Sequence, residues 1–125
     1  MPKYKVTVIE DNDINMKLVK TLLDLAGYEV IAATDAETGI DLIRTHQPDL
    51  ILMDVQLPGM DGLSATKIIK QDEALKFIPV VALTSYAMRG DEEKAKQAGC
   101  TGYISKPIDT RNFSKYISDY ISSAK

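Results

Sequence analysis

The chain has 125 residues, enough for one domain that buries about two-thirds of the surface its unfolded form exposes. Its 15 Lys+Arg and 18 Asp+Glu give a net charge of -3, with the basic residues scattered singly, which speaks against a nucleic-acid surface. A single cysteine, Cys100, excludes an internal disulfide framework, no apolar stretch approaches the roughly 20 residues needed to cross a bilayer, and no signal-like segment precedes the first strand. The expectation is a soluble cytoplasmic protein with no membrane partner, folded as one domain over 1–125 with nothing appended.

Short apolar runs near 4–10, 29–33, 49–53, 79–84 and 102–105 read as buried strands, and each is followed by a segment of helical periodicity. Strand then helix, five times, predicts an α/β fold with a doubly wound five-stranded parallel sheet and helices on both faces. In the first helix Ile14, Leu18, Leu22 and Leu25 form an apolar stripe flanked by Val19, Leu23 and Ala26, and Gly27 is the expected left-handed stop. Thr34 with Glu37 resembles a capping box for the second helix, which turns Ile40 and Ile43 inward before Pro48. The third, about 63–71, is expected to bury Leu63 and Ile68. Between Arg89 and Gly99 the only apolar side chains are Ala95 and Ala98, so the fourth helix buries little and is where local mobility is expected. Asp109 is the expected N-cap of a fifth helix with Phe113, Tyr116, Ile117, Tyr120 and Ile121 on its apolar face.

Four strands stop at groups able to bind a phosphoryl or a metal: the first at Glu10-Asp11, the third at Asp54, the fourth at Thr84-Ser85 and the fifth at Lys106-Pro107. Parallel strands point their carboxyl ends at one edge, where open α/β sheets bind ligands, so these residues are expected to meet in one crevice. Three carboxylates against one ammonium leave a surplus of negative charge, and like charges this close raise one another's pKa. A divalent cation compensates. A few hard oxygen ligands with room for water suit Mg²⁺. An ionised, metal-bound Asp54 beside an ammonium and a hydroxyl is equipped to attack phosphorus, with neutralisation of the equatorial oxygens supplied by its neighbours.

At these residues the chain resembles the receiver domain of two-component response regulators, the CheY-like family of flavodoxin-like fold. The resemblance covers the whole length, with all four pairs in register. It implies that Asp54 accepts a phosphoryl group from a sensor histidine kinase or a phosphotransfer protein. It further implies that Mg²⁺ is held by Glu10, Asp11, Asp54 and the backbone carbonyl of Gln56, that Lys106 and Thr84 contact the phosphoryl group, and that Tyr103 moves inward with Thr84. A cis bond before Pro107 is implied too. Glu10 stands where Asp is common in the family. The segments Glu10–Leu18, Asp54–Pro58 and Tyr86–Glu93 look most like stand-alone cell-cycle regulators of the DivK type, and also resemble receivers attached to hybrid histidine kinases.

The resulting expectation is a phosphoacceptor signalling protein that is not an enzyme in the turnover sense. The kinase is expected to dock on the first helix around Asn15, Lys17 and Leu18, and output to pass to another protein through the fourth helix, fifth strand and fifth helix. Plainer readings exist: Thr84 as a cap, Tyr103 as a core aromatic, His46 as surface, Asp61 as a turn residue. An aspartyl-phosphate hydrolase of the haloacid-dehalogenase kind wants a second acid two residues after the nucleophile, where this chain has Gln56. A flavin or nucleotide binder wants glycine after the first strand, where this chain has Glu10-Asp11-Asn12-Asp13.

Overall fold

The computed structural model describes residues 4–84 and 89–124, so Ser85, Tyr86, Ala87 and Met88 lie outside the described residues. Strands β1 (Lys5–Ile9), β2 (Glu29–Ala33), β3 (Leu50–Asp54), β4 (Val80–Thr84) and β5 (Gly102–Ser105) alternate with helices α1 (Asp13–Leu25), α2 (Ala36–His46), α3 (Gly62–Gln71), α4 (Arg89–Ala98) and α5 (Phe113–Ala124). All neighbouring strands pair in parallel in the order β2-β1-β3-β4-β5. The winding reverses between β1 and β3, and the connections leave opposite sides of the sheet there, opening a crevice at the carboxyl ends of those two strands.

Alternation along the central strands builds two cores. Ile51 and Met53 of β3 join Ile9, Ala82 and the α2–α3 side chains Ala36, Ile40, Ile43, Ala65 and Ile69 on one face. Leu50 and Leu52 join Val6, Val8, Val81 and Leu83 on the other, under Val19 and Leu23 of α1 and Phe113, Ile117 and Ile121 of α5. Each of those larger side chains contributes about 2 kcal/mol by leaving water. On α4, by contrast, Ala95 and Ala98 are the buried side chains among the described residues, and Glu92 pairs with Lys96 at 3.7 Å on its wet side.

Several local expectations need correction. The stripe assigned to α1 is rotated: Val19 and Leu23 are buried, whereas Ile14 and Leu25 are 79% and 82% exposed. On α3 the buried residues are Gly62, Ala65, Thr66 and Ile69, and Ile68 faces outward, displaced by the small residues that let the helix sit close to the sheet. The α2 cap is Asp35, not Thr34: its carboxylate accepts from the Thr38 N–H at 2.8 Å and the Thr38 hydroxyl at 3.0 Å. Asp109 caps a turn rather than α5, accepting from the Arg111 N–H and the Asn112 side chain, and the helix starts at Phe113. Gly27 does take a left-handed φ of 89°. No helix among the described residues is long and apolar enough to cross a membrane.

Thr7, fully buried at the centre of the sheet between Ile31 and Ile51, keeps a hydroxyl with no hydrogen-bond partner. An unpaired buried hydroxyl carries its desolvation cost with no return. Thr7→Val is expected to stabilise the protein by about 1 kcal/mol, read as a higher urea midpoint with an unchanged m-value. A lower midpoint contradicts this assignment.

Candidate functional site

The carboxyl ends of β1, β3 and β5 carry the site. Glu10 follows β1, and its N–H donates to the Ala33 carbonyl at 3.0 Å, extending the β1–β2 ladder by one residue and holding its backbone rigid. Asn12 then caps α1, accepting from the Asn15 N–H at 3.0 Å. Asp54 is the last residue of β3 and only 4% exposed. Lys106 directly follows β5, where its N–H donates to the Thr84 carbonyl at 2.7 Å, and the Lys106–Pro107 bond is cis.

These residues line one open cleft of about 370 Å³ with Asp11, Asn12, Asn15 and Gln56. Carboxylate oxygens of Glu10, Asp11 and Asp54 lie within 4.8 Å of one another. The Lys106 ammonium donates to both oxygens of Glu10, at 2.8 and 3.1 Å, and stands 3.4 Å from Asp54 Oδ2. Asp54 Oδ1 accepts from the Gln56 N–H at 3.1 Å. Glu10 Oε1 also accepts from the Asn12 N–H at 3.3 Å and the Asn15 amide at 3.5 Å, so the fully buried Glu10 is the better satisfied carboxylate.

Two buried carboxylates thus share one cation, and the sharing is unequal. Burial and the neighbouring Glu10 carboxylate push Asp54 up to about 7, against the opposite pull of the Gln56 N–H and the Lys106 ammonium. The donor set, three carboxylates spaced for a shared small ion with Asp11 exposed to water, fits a hard divalent cation.

The remaining expected residues fall in different places. Thr84 is buried at the end of β4, one residue beyond Leu83, the register partner of Asp54, and it stands outside the cleft lining. Tyr103 does not reach the cleft either: it pairs with Ala82 and flanks a separate groove with Tyr116 and Tyr120. Asn15 lines the acidic cleft, while Lys17 points to water and Leu18 packs in part against the α1–α5 core. Asp61 is the N-cap of α3, accepting from the Ser64 N–H and hydroxyl at 2.8 and 2.9 Å, as a turn residue would. Two residues near the site escaped the sequence reading. Asn12 was signalled only by its place before an apolar helix, and Gly62 presses against the Asp54 carbonyl so closely that no Cβ fits between them.

A family model for the response regulator receiver domain matches residues 6–118. The chain belongs to this family. It is 49% identical over 124 residues to the polar-differentiation response regulator DivK of Brucella anthropi, covering 99% of this chain and 100% of that protein. The DivK of Brucella ovis is 50% identical over 119 residues, 95% and 97% of the two chains. Among solved structures, a response regulator from Chloroflexus aurantiacus superposes with a TM-score of 0.93 at 26% identity, covering 97% of this chain and 99% of that one. The receiver domain of a sensor histidine kinase from Pseudomonas aeruginosa, solved with a magnesium ion coordinated in its active-site cleft, gives 0.89 at 31% identity over 97% and 99%. The receiver fold and a two-component signalling role are therefore shared across the full sheet and both helical layers.

The raised value at Asp54 fixes the sign of a pH dependence. The folded receiver binds the Asp54 proton more tightly than the unfolded chain, where the value is 3.8. The contribution of Asp54 to the stability of the metal-free protein is therefore fullest below about 4, declines as pH rises toward about 7, and levels off above it, opposite in sign to the contributions of Asp35, Asp61 and Asp109, whose carboxyls are held below the usual range by the N–H and side-chain donors they accept from. Asp54→Asn, which leaves Lys106 paired with Glu10, is expected to flatten that decline and to raise stability near pH 8 by about 1–2 kcal/mol. Urea unfolding with chelator across the pH range checks it, and a steeper decline in the variant contradicts it.

Proposed function

We propose that Asp54 is the phosphoacceptor of a Mg²⁺-dependent transfer from the phosphohistidine of a sensor histidine kinase or phosphotransfer protein. The observation that carries this reading is the convergence of Asp54, Lys106 and the acidic pair in one cleft at the β1/β3 reversal. A carboxylate oxygen of Asp54 attacks phosphorus, the P–N bond breaks, and its electron pair returns to the departing imidazole. The Lys106 ammonium, 3.4 Å from Asp54 Oδ2, takes up negative charge that develops on the transferred group. The Gln56 N–H holds Asp54 Oδ1, fixing the carboxylate plane. Glu10, Asp11, Asp54 and the Gln56 carbonyl are the groups we assign to Mg²⁺, which supplies the missing positive charge and keeps Asp54 ionised. Thr84, at the neighbouring strand end, is assigned to the phosphoryl oxygens, with Tyr103 as the aromatic that follows it.

The input surface in this reading is the cleft-side end of α1. Ile14 is 79% exposed and apolar, Asn15 lines the cleft, and Lys17 and Leu18 extend the patch along the helix. Output through α4, β5 and α5 accords with the slight burial of α4 and with the tyrosines around β5. The near full-length likeness to DivK proteins favours a cellular role in polar differentiation.

With acetyl phosphate and Mg²⁺ the protein is expected to gain one phosphoryl by intact-mass measurement, and Asp54→Ala to gain none. Equal labelling of that variant rejects Asp54 as acceptor. Ile14→Ala with Lys17→Glu is expected to slow transfer from the cognate kinase by roughly tenfold while leaving acetyl phosphate labelling unchanged. Loss of both activities together assigns those residues to folding instead of docking.

A further inference from the structure

The loop from Val55 to Asp61 leaves the sheet and returns to it within a very small footprint. Val55 donates to the Leu83 carbonyl at 3.0 Å and accepts from the Gly62 N–H at 3.1 Å, so one residue ties the end of β4 to the start of α3. At that start an ideal Cβ on Gly62 would overlap the Asp54 carbonyl oxygen and lie within 3.0 Å of the Met53 side chain. The helix therefore rests directly on the peptide of Asp54, with no side chain between. Gly62 does not take a left-handed φ, so the requirement is one of space and not of backbone freedom. Asp61 fixes the same helix start through its two bonds to Ser64.

We infer that Gly62 is a positioning residue for the site: the first turn of α3, seated on the Asp54 carbonyl, sets where that carboxylate and the Gln56 peptide stand relative to Glu10 and Asp11. This rests on the Mg²⁺ reading above. Any atom added at position 62 must move backbone, because the nearest obstacle is a carbonyl and not the end of a flexible side chain. The backbone of Glu10 is held separately, by its N–H bond to the Ala33 carbonyl on β2, and does not follow that movement. The shift is thus a change in spacing within the carboxylate set.

Calorimetric titration with Mg²⁺ on the full chain tests this. Gly62→Ala is expected to weaken Mg²⁺ binding roughly tenfold. Leu75→Ala, a fully buried core truncation remote from the cleft, is expected to lower Tm at least as much yet keep Mg²⁺ affinity within about twofold. Equal loss of affinity in both variants, or none in Gly62→Ala, overturns the inference. If Gly62→Ala does not fold, Asp61→Ala is compared with Asp61→Ser: both remove the charge, but serine keeps the cap. Weaker Mg²⁺ binding only in the alanine variant supports the inference, and identical affinities overturn it. Wild-type protein that binds no Mg²⁺ defeats the proposed function itself, a result distinct from wild-type binding that Gly62→Ala retains.

Discussion

The Lys106 ammonium, set between two buried carboxylates, is the constraint on which the rest of the site depends. Glu10 and Asp54 sit at the ends of adjacent strands, and burying two carboxylates side by side is costly unless a cation stands between them. Lys106 follows β5, three strand spacings from β1, or roughly 14 Å. Only a long flexible arm bridges that span, and only lysine ends it in a compact point charge that two carboxylates share from different sides. Breaking such a pair leaves an uncompensated buried charge, which costs more than the intact pair ever contributed. Stability is thus given up at the strand ends in exchange for a set of oxygens with an unmet demand for positive charge.

That demand explains the asymmetry between the two carboxylates. Glu10, with both oxygens on Lys106 and further donors from Asn12 and Asn15, is held in place. Asp54 keeps one backbone N–H and the longer contact to Lys106. The extra methylene of Glu at position 10, compared with the aspartate common there in the family, lets the carboxylate reach back under the ammonium. Asp54 is left as the group whose ionisation is most easily altered by whatever enters the cleft.

Much of this was legible in the sequence because it depends on strand ends. An apolar run of four or five residues announces a buried strand, a polar residue after it announces the carboxyl edge, and parallel order places all such edges together. What the sequence could not place was rotation about a helix axis. On α1 the apolar residues span more than half the circumference, from Ile14 and Leu18 through Val19 and Leu23, and periodicity alone does not say which seam meets the sheet. The seam is chosen by crossing angle and by the partner, here α5 with Phe113 and Ile117. On α3 the same ambiguity favoured the bulky Ile68 over Ala65 and Thr66, although a helix lying close to a sheet puts its small residues underneath. Gly62 could not be recognised as a spacer, since contact with the Asp54 carbonyl exists only once both elements are folded.

The side chain and the main chain of Lys106 belong to different parts of the machine. The ammonium answers to charge at Asp54 and Glu10, while the backbone N–H is bonded to Thr84 at 2.7 Å and the residue just before it, Ser105, pairs with Thr84 in the β4–β5 ladder. Any new anion at Asp54 draws the ammonium toward it and loads that ladder at its end. β5 is an edge strand of four residues with a single sheet neighbour, so it resists displacement less than β1, β3 or β4. Tyr103 lies on that strand, half-exposed, and on α4 beside it the buried side chains among the described residues are two alanines, Ala95 and Ala98. The lightly buried α4 therefore lies beside the edge strand that leads directly into the shared cation, and away from the fully buried central strands β3 and β4.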